Sequence, residues 1–201
     1  RDVLKMAGVA FAGTALPTIT ILNPNKAFAG VNADTLKVGL IGCGGRGSGA
    51  ANQALKADSN VVLHAVGDIF ADKMEASLTG LRKVHGSKVT VDEGRNYIGF
   101  DANQKVLDSG VDVVILTTPP HFRPDHLMAA VKAGKHVFCE KPVAVDAQGV
   151  RKVLEAAKIA KQKKLSLMSG FCWRYHEAKR AIFGRILDGA VGDISTVYNT
   201  Y

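Results

Sequence analysis

Leu36-Lys37-Val38-Gly39-Leu40-Ile41-Gly42-Cys43-Gly44-Gly45-Arg46-Gly47-Ser48 decides how this chain is read. An apolar run with the length of a buried strand ends in Gly42-x-Gly44-x-x-Gly47. A helix-compatible stretch, Ser48 to Ala57, follows. Strand, glycine turn and helix start are the three parts that a dinucleotide pyrophosphate needs. Gly42 permits the tight turn, and Gly44 lets the backbone approach the phosphates. Gly47 lets the helix close on the strand, and the helix N-terminus offers its unpaired N–H groups. In a chain with 21 glycines the pattern alone is weak, the alternative being a glycine-rich surface turn. The context strengthens it. A second strand-like run, Val61 to Gly67, ends at Asp68, about 20 residues past Gly47, where an acid can hold ribose hydroxyls.

Outward from that stretch the pattern alternates between strand and helix. Val61–Gly67 reads as a strand, and Met74, Leu78 and Leu81 fall at helical spacing with Gly86 as the stop. Lys88 to Tyr97 reads as a loop. Asp101 is placed to cap a short helix that buries Val106 and Leu107. Val111–Leu116 is a β-branched strand leading to Thr117-Thr118-Pro119-Pro120-His121. Pro124 opens a helix carrying Leu127, Met128 and Val131, which Gly134 ends. His136–Cys139 is the next strand, closed by Glu140-Lys141-Pro142.

Asp146 caps a long helix with apolar positions Val150, Val153, Leu154, Ala157 and Ala160. Leu165–Ser169 is a further strand, leading to Gly170-Phe171-Cys172-Trp173-Arg174-Tyr175-His176. A helix with Ile182, Ile186 and Leu187 follows, and His176 suits its cap. Asp193 to Tyr201 alternates as a strand would. The expected fold is α/β, a Rossmann-type doubly wound parallel sheet. Residues 36–170 form the dinucleotide-binding domain. Residues 171–201 supply a connecting helix and the first strand of a truncated second α/β substrate domain. Ligands of such sheets lie at the carboxyl ends of the strands. Gly42–Gly47, Asp68, Thr117–His121, Glu140–Pro142 and Gly170–His176 should therefore line one crevice.

Residues 1–29 read differently. Basic Arg1 and Lys5 precede a mildly apolar run, Met6 to Leu22, and then Ala27-Phe28-Ala29, a small-x-small cleavage pattern. With an arginine before Arg1 the start would match a twin-arginine export signal, which implies a periplasmic or otherwise exported protein. A disordered arm is the alternative. Residues 30–35 are a short linker. Pro17 and the threonines make the run a poor membrane span.

At 201 residues, 47% hydrophobic and 22% charged, the chain has enough apolar material for a sizeable core. The net charge of +8 is spread out, and the cluster Lys161, Lys163 and Lys164 closes a helix, where cations suit the dipole. Nucleic acid is not an expected partner. Cys43, Cys139 and Cys172 show neither zinc-ligand nor disulfide spacing, so no metal is expected.

Three stretches together resemble the Gfo/Idh/MocA oxidoreductases, the glucose-fructose oxidoreductase and inositol dehydrogenase family. They are Gly42-Cys43-Gly44-Gly45-Arg46-Gly47, Thr118-Pro119-Pro120-His121, and Ala133-Gly134-Lys135-His136-Val137-Phe138-Cys139-Glu140-Lys141-Pro142. The Gly-Arg-Gly turn and the leader are similar to the exported branch. The resemblance implies an NAD cofactor, with NADP the less favoured, held by Gly42, Gly44, Gly45, Arg46, Gly47, Asp68, Thr118, Pro119, His121, Glu140, Lys141, Trp173 and Arg174. It implies that Lys141 is the catalytic lysine, between nicotinamide and the reacting hydroxyl, with Glu140 orienting it or the cofactor.

From the residues alone, Lys141 reads equally as a surface lysine in a turn fixed by Pro142. His121 reads equally as a turn residue, Trp173 as core and Arg174 as a surface ion partner. His64, His85, His126 and His136 look structural or exposed. The resemblance further implies an Asp and a His in the substrate domain, which would be expected beyond Tyr201. The expected activity is oxidation or reduction of a sugar or polyol hydroxyl with NAD retained through turnover. An NAD-dependent glycosidase of the same family and a non-catalytic nucleotide-binding module remain alternatives. The expected partners are a small sugar or polyol and, for the full-length protein, further copies of itself, with no membrane once the signal is removed.

Overall fold

The computed structural model describes residues 35–200. The expected export signal and all of the linker except Thr35 lie outside the described residues.

Six parallel strands form one sheet. They are β1 (Leu36–Ile41), β2 (Val61–Asp68), β3 (Asn96–Ile98), β4 (Val113–Leu116), β5 (His136–Cys139) and β6 (Leu167–Ser169). Their order across the sheet is β3-β2-β1-β4-β5-β6, and every neighbouring pair is parallel. The chain builds outward from β1 in one direction and from β4 in the other. The order therefore reverses between β1 and β4, and a crevice opens there at the carboxyl ends of the strands.

Side-chain alternation assigns the two faces. Val38 and Leu40 of β1 and Ile115 of β4 point into a core with helix α1 (Gly45–Ala57) and helix α2 (Ala71–His85), where Leu55, Met74, Leu78 and Leu81 are buried. Ile41, Val114 and Leu116 point into the other core. There they meet α3 (Ala102–Asp108), α4 (Arg123–Lys132) and α5 (Ala147–Gln162) through Val106, Leu107, Leu127, Val131, Ala156 and Ala160. At Gly39 a Cβ would lie 2.6 Å from Val106 Cγ1, so the missing side chain is what lets α3 close on β1.

The structure corrects several expectations. Helix α1 starts at Gly45 rather than Ser48, because the glycines of the turn themselves form its first turn. The stretch expected as a loop before Tyr97 holds two 3-10 turns and strand β3, which pairs with the end of β2. Three residues are too short to show a period of two. Asp101 does not cap α3; its carboxylate pairs with Lys105 one turn on, 2.8 Å away. Asp146 does cap α5, accepting from the Gly149 amide at 2.6 Å. Val150 and Leu154 of α5 are exposed, while Ala156 and Ala160 take the buried side. His176 caps helix α6 (Glu177–Leu187) through the Lys179 amide. The strand expected from Asp193 is not formed over residues 193–200. A strand needs a neighbour for its ladder, and none pairs with it among the described residues. No described helix is long and apolar enough to cross a membrane.

Candidate functional site

The turn after β1 contains two kinds of glycine. Gly42 has a φ of +95°, and a Cβ there would come within 2.8 Å of the Thr117 and Thr118 backbone. At Gly47 a Cβ would fall 1.9 Å from the Gly42 carbonyl oxygen. Both are required by the protein's own packing. Gly44 and Gly45 are not. Gly44 sits at φ −66° and ψ −177°, which any residue adopts, and a Cβ at either position meets nothing within 4 Å. The open space lies at the start of α1, where no side chain caps the helix. Its first-turn amides are left for an anion. A bare cradle of this kind fits a pyrophosphate.

Asp68 stands at the end of β2, aimed by two backbone amides. Its Oδ2 accepts from Cys43 N at 2.5 Å and its Oδ1 from Phe70 N at 3.0 Å. Each carboxylate oxygen keeps a further lone pair for a ribose hydroxyl. The Cys43 thiol is buried and hydrogen-bonded to the Gly67 carbonyl. Burial, and then the charge of Asp68, push its pKa up to about 12. It therefore stays a neutral packing group under the turn.

A crevice of about 440 Å³ runs along these strand ends. Gly42, Gly44, Asp68, Thr118 and Pro119 line it, as expected from the sequence. Thr117 lines it too, as expected, but the apolar walls were not foreseen. Ile69, Phe70, Phe100 and Phe122 give it apolar sides suited to a planar base. His126, expected to be structural, also lines it and shares a 3.2 Å hydrogen bond with Thr118 Oγ1. Burial lowers the His126 pKa, so its ring is held neutral. The signal that could have found it is its position one turn after Phe122, on the helix face that follows Thr118-Pro119.

The Glu140-Lys141-Pro142 turn follows β5 and is tied to the glycine turn. Arg46 binds Glu140 Oε1 through Nε at 2.7 Å and Nη2 at 2.5 Å. Glu140 is only 3% exposed, and its Oε2 accepts from the Lys141 amide at 3.3 Å. A Cβ on Gly170 would lie 2.8 Å from that carboxylate, so the loop after β6 must be bare to seat it. The Lys141–Pro142 peptide is cis. The Lys141 side chain is exposed and makes no ion pair among the described residues.

Arg123, which the sequence did not single out, is 6% exposed and lines the crevice. It donates from Nε to Thr118 O at 2.7 Å and from Nη1 to Glu140 O at 2.9 Å and Pro142 O at 2.5 Å. Burial lowers its pKa, and the adjacent Cys139 and the Glu140 carboxylate partly offset that.

His121 is exposed on the turn after β4, edge-on to Phe122 at 5.2 Å between ring centroids. Trp173 and Arg174 lie on the 3-10 turn after β6, outside the crevice walls. Trp173 is 59% exposed, so it is not a core residue, and Lys179 Nζ sits 3.7 Å from its ring centroid. No cluster of metal ligands exists among the described residues.

Known proteins resemble this chain in sequence and fold. The family described as oxidoreductase family, NAD-binding Rossmann fold (GFO_IDH_MocA), matches residues 36–171. The inositol 2-dehydrogenase of Salmonella paratyphi B is 32% identical over 167 residues, covering 83% of this chain and 46% of that protein. The inositol 2-dehydrogenase/D-chiro-inositol 3-dehydrogenase of Lactiplantibacillus plantarum is 32% identical over 160 residues, 80% of this chain and 42% of its own. Among solved structures, myo-inositol 2-dehydrogenase from Lactobacillus plantarum superposes with a TM-score of 0.64 at 25% identity, covering 80% of this chain and 43% of that one. The chain thus spans less than half the length of these relatives. With its parallel sheet, its bare phosphate cradle and an acid at the end of β2, the chain belongs to the Gfo/Idh/MocA oxidoreductase family and carries that family's NAD-binding Rossmann domain.

Proposed function

We propose that the full-length protein is an NAD-dependent oxidoreductase acting on the hydroxyl of a polyol or sugar. The observation that carries this reading is the Glu140-Lys141-Pro142 turn. Arg123, which lines the crevice, and Glu140 hold its backbone at the carboxyl end of β5, and the Lys141 side chain makes no ion pair among the described residues. The inositol dehydrogenases among the relatives support a cyclic polyol as the substrate class.

NAD, when bound, supplies the hydride acceptor. The rest is done by this chain. The first-turn amides of α1 bind the pyrophosphate, with Gly44 and Gly45 leaving room for it. Asp68 orients the ribose through its free lone pairs. The apolar walls exclude water from the base. The Lys141 amine takes up the proton of the reacting hydroxyl as the carbon–hydrogen bond breaks, and gives it back when that bond forms in the reverse direction. The test is the full-length protein with myo- or scyllo-inositol and NAD. Oxidation of either ring alcohol is expected. Release of nitrophenol from nitrophenyl glycosides, with no polyol oxidation, would assign the glycosidase route instead.

Asp68 also sets the choice between cofactors. A carboxylate repels a 2′-phosphate. Ile69, Phe70 and Ala71 follow it, and the nearest cation downstream, Lys73, is paired with Asp72. NAD should bind more tightly than NADP, and Asp68→Ala should narrow the gap by about tenfold or more, the scale of one charge-assisted contact. Tighter binding of NADP by the wild type would overturn the role given to Asp68.

The leader and the anchored site together support export with NAD already bound and kept through many cycles. Outside the cytoplasm, NAD lost at each turnover would not be replaced. Protein purified from cells and then denatured should release close to one nicotinamide nucleotide per chain. It should also turn over without added cofactor. Protein that arrives empty and accumulates free NADH would show an ordinary exchanging dehydrogenase.

A further inference from the structure

We propose that Arg46 and Arg123 are paired positioning residues that clamp the Glu140–Pro142 turn from two sides, so that the place of the Lys141 ammonium is set by the glycine turn and by α4. The inference rests on the catalytic reading of Lys141 given above.

The geometry has three parts. Arg123 reaches from the first turn of α4 to the carbonyls of Glu140 and Pro142, which flank Lys141 on either side. With its Nε it also holds Thr118 O, so the turns after β4 and β5 share one guanidinium. Arg46 reaches from the first turn of α1 to the Glu140 carboxylate, whose other oxygen holds the Lys141 amide. Gly170 leaves room for the Glu140 carboxylate, which a Cβ there would approach to 2.8 Å. Backbone and neighbouring carboxylate are thus pinned while the Lys141 side chain stays free to meet a ligand.

Chemistry supports the pairing. A buried cation at a helix N-terminus opposes the dipole, so Arg123 stands there against the electrostatic preference. Among the described residues it also makes no carboxylate ion pair, its partners being carbonyl oxygens. Such a residue is costly to bury and does little for stability that an apolar side chain would not do. A planar fork, however, is suited to holding three carbonyls in fixed relation. Glu140 poses the complementary problem. A carboxylate that is 3% exposed needs a cation, and Arg46 brings one from the element that receives the pyrophosphate. Among the described residues the charged groups beside Glu140 are Arg46 from α1 and Arg123 from α4, and the Cys139 thiol of β5 is the neighbouring titratable group. Burial keeps that thiol protonated, with its pKa raised to about 11. Occupancy of the phosphate cradle is thereby linked to the turn that carries the lysine.

The experiment uses the full-length protein and has two independent readouts. Amide hydrogen exchange over residues 139–143 follows the turn itself, because the Lys141 amide is held by Glu140. Arg123→Ala and Arg46→Leu should each speed that exchange tenfold or more and leave β1 and α2 unchanged. In steady state, Arg123→Ala should lower kcat by roughly 10- to 100-fold, the range expected for a displacement of about an ångström at a reacting group. The KM for NAD should stay within threefold. Methylguanidinium should then restore most of the lost kcat by refilling the carbonyl fork. If Arg123→Ala does not accumulate, Arg46→Leu, whose side chain is half exposed, carries the exchange test. Unchanged exchange at 139–143, or faster exchange throughout β1 and α2 with no rescue by methylguanidinium, would overturn the proposal. Absence of polyol oxidation by the wild type would remove the catalytic reading alone, and the exchange data would still decide the clamp.

Discussion

Lys141→Ala in the full-length protein is expected to lower turnover by roughly 10²–10⁴-fold, the usual share of a positioned acid–base group. NAD affinity should change by less than a few-fold. The expectation follows from how the residue is held. Its backbone is fixed through Glu140 O, Pro142 O and its own amide, none of which depends on the side chain. Its ammonium makes no ion pair among the described residues. Removing it should cost the fold almost nothing, with Tm shifted by no more than a degree or two, as for other exposed substitutions. Steady-state rates, NAD titration and a melting curve on the same preparation separate these effects. Normal turnover in the variant would make Lys141 a surface lysine of a tight turn.

Gly47→Ala and Gly44→Ala should fail in opposite ways. At Gly47 the added Cβ would sit 1.9 Å from the Gly42 carbonyl oxygen. That carbonyl cannot retreat freely, because it accepts from Thr117 Oγ1 at 2.6 Å, and Gly42 N donates to Gly67 O at 2.8 Å. Helix α1 would have to lift from the sheet. The expected cost is about 3 kcal/mol, at the upper end of overpacking. For a domain of this size that is a fall in Tm of roughly 6–12 °C, with NAD binding lost alongside it. At Gly44 the backbone needs no glycine and the Cβ meets nothing. Gly44→Ala should melt within about 2 °C of wild type, as a surface change does, yet bind NAD roughly 10- to 100-fold more weakly, because the methyl group occupies the approach of the pyrophosphate. Unaltered NAD binding in Gly44→Ala would mean that the open space is not a phosphate cradle.

The difference between those two glycines shows how far sequence reading reaches. Spacing marks Gly42, Gly44 and Gly47 as one motif, and the motif does bring strand, turn and helix together. It does not distinguish glycine needed for packing from glycine needed for a ligand, because the atoms that decide are those of Thr117 and Gly42, brought close only by folding. The small edge strand β3 escaped for a related reason. Three residues carry no period, and Asn96–Ile98 become a strand only because the exposed edge of β2 is there to pair with.

Asp68, Thr118 and Pro119 were legible as crevice residues because each ends a strand, and parallel topology gathers strand ends. Arg123 and His126 were not. They sit inside an ordinary amphipathic helix, and nothing local separates a buried arginine from a solvent-facing one. Trp173 and Arg174 also follow a strand, but β6 is the edge of the sheet, and its loop lies away from the switch point.

The amino-acid sequence by itself determined the alternation of strand and helix, the phosphate turn and the family to which the chain belongs. Those properties are written in short-range terms: the period of apolar residues, the conformational freedom of glycine, and motifs read over a few neighbours. Only the tertiary structure decided that Arg46 serves Glu140, that Arg123 joins two turns, and that the crevice has aromatic walls. These depend on contacts between residues as far apart as Arg46 and Glu140, 94 positions in the chain. Their partners are chosen by sheet order and helix packing, which no local pattern encodes.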